Sequence, residues 1–174
     1  MIRASYLAFG LLLAGAAAVP AAADDATLLG TTKDWSALTS GTGSDKVCYA
    51  MAKPHASDPR KIKRDPIYFL VTDWPSRHTK SEPEAVPGYQ YKDGAAVTAQ
   101  VGADKFEFFT QNDGTAGSAW IRKRNDEVRL VEAMRNGQNL VVTGTSKRGT
   151  VTKDTYSLAG LGDALDRIHK ECGM

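Results

Sequence analysis

The clearest pattern of apolar and polar positions lies in the last third of the chain. Residues 140–143 are apolar and β-branched, which favours a half-buried strand. Residues 150–156 return as a second, threonine-rich strand. The turn between them, Ser146–Gly149, ends in a glycine that tolerates the positive φ of a tight hairpin. Together these segments predict a β-hairpin.

A helix is predicted directly after this hairpin. Its apolar residues recur at helical spacing and share one face: Leu161, Leu165, Ile168 and Cys172. Gly162 is the predicted N-cap, and Gly173 follows the last turn. His169 lies in that last turn, where the helix macrodipole favours a positive charge. The apolar face directs the Cys172 sulfur towards the sheet on which the helix packs.

Shorter apolar runs earlier in the chain predict further strands. The run at residues 67–72 is apolar on both faces and is predicted to lie at the centre of a sheet. The other predicted strands are residues 34–38, 46–51, 96–101, 105–110 and 118–121. Residues 73–84 contain Pro75 and Pro83 and are interpreted as a long irregular connection. A short helix is predicted at residues 126–136, with an apolar side formed by Val128, Val131 and Met134.

The close spacing of turns, without a βαβ rhythm, predicts a mainly β fold. The expected architecture is an antiparallel, jelly-roll-like β-sandwich with the C-terminal α-helix packed on it. One domain is expected at residues 24–174, a length that supports a single core.

The N-terminal segment has the pattern of a secretory signal peptide. Arg3 precedes an apolar run at residues 6–19, and Ala21–Ala23 supplies a small-residue cleavage site. We therefore predict a signal peptide at residues 1–23. The run is short for a membrane span, so no transmembrane segment is expected in the mature chain. An uncleaved N-terminal anchor is the alternative.

Charge and cysteine content limit the partners and the redox environment. The chain has a net charge of +2, and loss of Arg3 with the signal peptide leaves about +1, too little for a general polyanion binder. Cys48 and Cys172 are two cysteines in an exported chain, a pattern that predicts a disulfide. Such a link would stabilise the fold by roughly 4–5 kcal/mol in the chain-entropy model. A metal-binding or catalytic thiol is the alternative, although neither cysteine has ligand residues nearby in sequence.

Motifs of familiar catalytic sites are absent from the sequence. It contains no Gly-x-Ser-x-Gly, His-Glu-x-x-His, phosphate-binding glycine loop or Cys-x-x-Cys. We therefore predict no catalytic residue, no cofactor and no metal site. His55 and Asp58 have the residue types of a base and its orienting partner, but two solvated loop residues are the simpler interpretation. Asp73, Asp113 and Asp154 are carboxylates that a hydrolase could use, yet the sequence alone brings no two of them together.

Three basic clusters form the candidate ligand-binding surface. They comprise Arg60, Lys61, Lys63 and Arg64, then Arg122, Lys123 and Arg124, and finally Lys147 and Arg148. Two clusters brought together by the fold would attract an anionic partner such as a glycan or a lipid head group. A solvated loop is the alternative for each cluster alone, and nucleic acid is not an expected partner outside the cytoplasm. Trp74 and Trp120 are candidates for stacking on a sugar, or for ordinary partial burial.

Several segments occur in an order typical of one family of exported bacterial proteins. They are Trp35, residues 47–50, 64–69, 88–89, 119–120, 133–137 and 144–158, followed by Ala164 and Leu165. Through these residues nearly all of the mature chain resembles the invasion-associated locus B family of Gram-negative bacteria. The resemblance implies a β-sandwich-like domain that is periplasmic, associated with the outer membrane or secreted. It supplies no catalytic residues.

Export, the absent motifs and this resemblance predict a non-enzymatic protein that acts through its surface. The expected partner is an unknown envelope or host-surface component, with a role in host-cell interaction or envelope integrity. One alternative is a periplasmic hydrolase acting on envelope glycans or lipids through the loops at residues 54–64 and 74–84. A deep pocket holding His55 or His78 beside a carboxylate would favour it. A second alternative is an envelope protein with mainly structural duties.

Overall fold

The computed structural model describes residues 26–60 and 62–174. The predicted signal peptide at residues 1–23 lies outside this range. The strands are β1 (Thr27–Thr32), β2 (Trp35–Ser40), β3 (Val47–Ala52), β4 (Ala56–Asp58), β5 (Tyr68–Trp74), β6 (Thr79–Val86), β7 (Val97–Val101), β8 (Asp104–Asp113), β9 (Ala116–Trp120), β10 (Asn139–Thr145) and β11 (Val151–Ser157). The helices are α1 (Arg124–Asn136) and α2 (Leu161–Cys172). The predicted mainly antiparallel β fold with a C-terminal helix is confirmed.

The strands form one antiparallel sheet that folds over at β8. Their order is β1-β2-β3-β5-β6-β9-β8-β7-β10-β11-β4. Residues 104–108 of β8 pair with β7, whereas residues 109–113 pair with β9. We call the layer from β1 to the second half of β8 the large sheet. The layer from the first half of β8 to β4 is the small sheet.

The hydrophobic core lies between these two layers. Phe69 in β5 of the large sheet contacts Tyr156 in β11 of the small sheet, with ring centroids 5.7 Å apart. Phe69 also packs edge-to-face against Phe108, just before the bend of β8, at 6.4 Å. Burial alternates along β2, β3 and most of β5. Each of these strands therefore has one face towards the core and one away from it.

Helix α2 packs on the inner face of the large sheet, against β1, β2, β3 and β5. Leu161, Leu165 and Ile168 are fully buried, as the helical spacing predicts. Cys172 on the same face forms a disulfide with Cys48 of β3, with a Cα–Cα distance of 6.0 Å. The predicted link between an early strand and the terminal helix is confirmed. Neither helix of the described chain is long and apolar enough to cross a membrane.

The N-cap of α2 is Gly160, so the prediction of Gly162 is wrong. Gly160 has a left-handed φ of +89°, and a Cβ at this position would lie 2.0 Å from the carbonyl oxygen of Thr32. A glycine is therefore required where the start of α2 meets the turn between β1 and β2.

Strand β6 lies inside the segment interpreted as irregular, so that interpretation is wrong. β6 pairs along most of its length with β5 and more briefly with β9. Pro83 obscures the strand in the sequence because proline has no N–H to donate to a ladder. The structure tolerates Pro83 because pairing with β9 begins only at the next residue, Glu84.

Helix α1 buries a different side from the predicted one. Its buried residues are Glu127, Leu130, Val131 and Met134. Val128 is 50% exposed, so its predicted place on the apolar side is wrong. Successive helical residues are 100° apart, so the buried face is centred between Leu130 and Val131. Val128 therefore projects away from the buried face.

Candidate functional site

Arg64, one of the predicted surface residues, lies in the interior. Its guanidinium donates to both carboxylate oxygens of Asp154, from Nη2 at 2.6 Å and from Nη1 at 2.9 Å. The Ser57 hydroxyl also donates to Asp154, at 2.6 Å. The Arg64 and Asp154 side chains are only 5% and 4% exposed. Arg64 therefore anchors the β4–β5 connection to β11, and its assignment to a ligand-binding surface is wrong.

The end of β4 brings Arg60 of the first cluster to the same end of the small sheet as the third cluster. Arg60 and Lys63 are exposed in the β4–β5 connection, whereas Lys61 lies outside the described residues. Lys147 and Arg148 are exposed in the β10–β11 turn. β4 ends opposite residue 153 of β11, close to this turn. Arg60 and the turn therefore lie at the same end of the small sheet.

The second cluster lies between β9 and α1, beside the bend of β8. Arg122 places its guanidinium 4.3 Å from the ring centroid of Phe109. Arg124 forms an ion pair with Glu127 at 2.7 Å. Lys123 is exposed at the N-cap of α1. Two of these three cations are thus engaged within the protein, which leaves less free positive charge here than the sequence predicts.

The outer face of the large sheet carries a continuous row of large side chains. Met51, Leu70, Glu84, Trp120 and Phe109 are direct cross-strand partners on five neighbouring strands. Direct partners in an antiparallel ladder project to the same side. Each is half-buried, so one side of the row remains in contact with solvent.

The same face has further apolar residues next to this row, among them Leu38 and Tyr49. A second row joins Leu38, Tyr49, Thr72 and Glu82. Burial raises the pKa of the Tyr49 phenol, in keeping with its partial enclosure. We define the outer aromatic face by its apolar members and two acids: Tyr49, Met51, Tyr68, Leu70, Trp74, Phe109 and Trp120, with Glu82 and Glu84.

Three aromatic rings of this face carry a cation. The pairs, with the distance from the cation to the ring centroid, are Arg77 on Trp74 (4.4 Å), Arg122 on Phe109 (4.3 Å) and Lys53 on Tyr68 (5.8 Å). Cation–π contacts at exposed sites contribute about 0.5–1 kcal/mol each. Aromatic residues, methionine and arginine are also the residue types enriched at protein–protein interfaces.

Glu82 and Glu84 place two carboxylates on this face. The Trp74 indole N–H donates to Glu82 Oε2 at 2.9 Å. Burial raises the pKa of Glu84; a hydrogen bond from Ser118 opposes the rise, and the charge of Glu82 adds to it. Within residues 26–60 and 62–174, neither carboxylate has a cation within ion-pair distance. The face therefore combines apolar surface, two unpaired negative charges and cations held on aromatic rings.

A serine, a histidine and an aspartate meet beneath α2. His169 Nε2 lies 2.9 Å from Ser81 Oγ and 3.7 Å from Asp73 Oδ1. The Ser81 N–H donates to Asp73 Oδ1 at 2.8 Å, and the other Asp73 oxygen has no hydrogen-bond partner among the residues that the structure describes. In an acyl-transfer triad, serine and aspartate face different nitrogens of the histidine. Here one nitrogen faces both, so the arrangement lacks that geometry.

The electrostatics of this cluster favour a neutral histidine. Burial lowers the pKa of His169 to about 4, and the charges of Lys80 and Arg135 act in the same direction. The interpretation of His169 as a positive charge favoured by the helix end is therefore wrong. Burial also raises the pKa of Asp73, whose side chain is fully buried. The cluster joins β5, β6 and α2, three elements that sequence reasoning did not connect.

The hydrolase alternative calls for a pocket that holds a histidine, and two grooves of the described chain can be compared with that requirement. A groove of about 580 Å³ lies at the bend of β8, and a broader depression of about 1190 Å³ lies on the small sheet. No histidine lines either one. His55 and His78 are both exposed. No group of three or more His, Cys, Asp or Glu suited to a metal ion occurs in the part of the chain that the structure describes.

Comparisons with known proteins agree with the fold. The family model of the invasion associated locus B protein matches residues 35–169. The crystal structure of invasion associated protein b from Bartonella henselae is similar, with a TM-score of 0.57 and 16% sequence identity. That alignment covers 83% of this chain and 98% of the other. The curated proteins give no significant match.

Proposed function

The chain belongs to the invasion associated locus B family, and we propose from this premise that it is an exported, non-enzymatic envelope protein. It acts by binding a protein partner on the outer aromatic face. Residues 1–23 direct export and are removed, and residues 24–174 form the binding domain. The mature protein resides in the periplasm or at the outer membrane.

Two features support export. Residues 1–23 have the charge and hydropathy pattern of a signal peptide. The Cys48–Cys172 disulfide suits an oxidising compartment, because reducing systems keep thiols free in the cytosol. The two features are independent, since one is a targeting pattern and the other is a bond within the folded domain.

The observation that carries the binding role is the outer aromatic face. In β3 the small residues Cys48 and Ala50 face the core, whereas the larger Tyr49 and Met51 face outwards. The larger side chains of this strand therefore lie on the side away from the core. Contiguous apolar surface that stays partly open to solvent is typical of interaction sites in soluble proteins.

Site-specific photocrosslinking in intact cells tests this proposal. A photoreactive amino acid replaces Gln111, an exposed residue whose strand partner, Ser118, hydrogen-bonds to Glu84. The matched control replaces Gln100, which is exposed in β7 of the small sheet. We expect a discrete crosslinked envelope protein from position 111 and none from position 100.

Equal crosslinking from both positions, or none from position 111, would contradict binding on this face. Turnover of an envelope glycan or lipid by the purified mature chain would contradict the non-enzymatic role. In that case the grooves at the bend of β8 and on the small sheet would become the candidates for substrate binding.

A further inference from the structure

We propose that the partner bound on the outer aromatic face presents a lysine or arginine within an apolar segment, and that Glu82 and Glu84 receive this cation. The inference rests on the proposed function and adds the chemistry of the partner. It follows from the contrast between the unpaired carboxylates and their apolar surroundings.

A partner that covers Glu82 and Glu84 removes water from their carboxylates. Both are half-buried, and their hydrogen bonds come from the Trp74 indole and the Ser118 hydroxyl. A purely apolar partner would remove their remaining water without supplying a positive charge, which is unfavourable. A partner that brings a cation replaces the lost hydration with a charge-assisted hydrogen bond.

The cations of the protein itself do not pair with Glu82 and Glu84. Arg77 and Arg122 lie over aromatic rings, and in the part of the chain that the structure describes no lysine or arginine, Lys80 of β6 included, is within ion-pair distance of Glu82 or Glu84. The compensating charge therefore has to come from the partner. Such a pattern selects among partners, because an apolar or acidic segment of the same shape would leave the carboxylates uncompensated.

The geometry of β6 suits a single cation. Glu82 and Glu84 are two positions apart on one strand, so their side chains leave the same face with an offset of about 7 Å. The planar guanidinium of arginine, or the flexible ammonium of lysine, can reach both carboxylates from between them. Leu70, Trp74 and Trp120 provide apolar surface on either side for the flanking residues of the segment.

A second copy of this chain fits the face less well. In a two-fold contact centred here, the same patch would meet itself. Glu82 and Glu84 of one copy would then approach those of the other. Four carboxylates brought together about the two-fold axis would repel one another.

The test measures how crosslinking from position 111 depends on these charges. E82Q/E84Q removes both charges and keeps the side-chain shapes. D104N/E132Q is the matched control, because it removes two exposed charges, one at the first residue of β8 and one on α1. We expect at least a tenfold lower crosslink yield in E82Q/E84Q and less than a twofold change in the control. The crosslinked partner peptide, identified by mass spectrometry, should contain lysine or arginine among apolar residues.

The outcomes separate this inference from the proposed function. An undiminished crosslink in E82Q/E84Q, or a crosslinked peptide without a basic residue, would overturn the cation while the binding face stood. A wild-type chain without any crosslink from position 111 would overturn both. Disulfide formation and exported amount, measured for each variant, show that folding is retained.

Discussion

Removal of the Cys48–Cys172 disulfide tests how strongly one covalent link stabilises this fold. The two cysteines are 124 residues apart in sequence, so the bond restricts most of the unfolded mature chain. The loop-entropy relation gives a stabilisation of about 5 kcal/mol at 25 °C for a loop of this length. Natural domains have a total stability of about 5–15 kcal/mol, so the loss would be a large fraction of the whole.

The fold should nevertheless survive the loss of the bond. Leu161, Leu165 and Ile168 remain fully buried against the large sheet. Burial of each such side chain contributes about 1.5–3 kcal/mol relative to exposure, which keeps α2 docked without the disulfide. We therefore expect C48A/C172A to be folded but to unfold at much lower urea concentration than the wild-type protein.

Urea denaturation followed by circular dichroism measures the difference. The expected decrease in the free energy of unfolding is about 3–5 kcal/mol, the lower value allowing for structure retained in the unfolded state. Wild-type protein treated with a reductant should behave like C48A/C172A. K46A is the control: it removes the neighbouring partly exposed ion pair with Glu171 and a hydrogen bond to the Glu171 backbone carbonyl, and it should change stability by about 1 kcal/mol or less. A decrease below about 1 kcal/mol in C48A/C172A would refute the loop-entropy argument.

Three further predictions concern buried or half-buried charges. R64M should lower the free energy of unfolding by about 3–5 kcal/mol in urea denaturation, because Asp154 remains buried without its cation. R64M/D154L should recover most of that loss, because it removes the buried charge as well. D73N should raise the free energy of unfolding at pH 7 and have little effect near pH 3, as urea denaturation at both pH values would show. Burial raises the pKa of Asp73 in the folded protein, so the carboxylate begins to destabilise the fold as the pH rises above the ordinary value of 3.8 and has its full effect above the raised pKa. E82Q should lower the pKa of Glu84 in a carboxyl NMR titration, because the neighbouring negative charge disappears, and an unchanged pKa would show that the two carboxylates do not interact.

The fold could be predicted where local pattern and tertiary structure agree. The terminal hairpin has β-branched strands and a glycine turn, α2 has apolar residues at helical spacing, and both form where the sequence indicates. β6 was missed because Pro83 contradicts the usual strand composition. β1 and β4 were missed because they are edge strands with few buried residues, so their sequences show little apolar alternation.

The candidate site depends more on tertiary structure. Residues 67–72 are apolar on both faces in the sequence, and that pattern predicts only a central position in a sheet. The structure shows that Tyr68 and Leu70 lie on the outer aromatic face while Phe69 and Val71 fill the core. The cross-strand row through Glu84 joins five strands, and no local pattern specifies that register.

The basic clusters show the opposite error. Adjacent arginines and lysines suggested one shared surface, but charge alone does not indicate burial. Arg64 has the same sequence context as Lys63, yet its guanidinium meets the buried Asp154 carboxylate 90 positions later in the chain. Only the packing of the β4–β5 connection against β11 distinguishes an interior arginine from an exposed one.

Methionine footprinting of the exported protein in intact cells tests the central claim most directly. Met51 lies on the outer aromatic face, whereas Met174 is half-exposed at the end of the chain, beyond α2. In purified protein, mild peroxide should oxidise both residues to sulfoxide. The account predicts that Met51 becomes protected in intact cells while Met174 is oxidised as before. Equal oxidation of Met51 in cells and in purified protein would contradict a partner bound on this face.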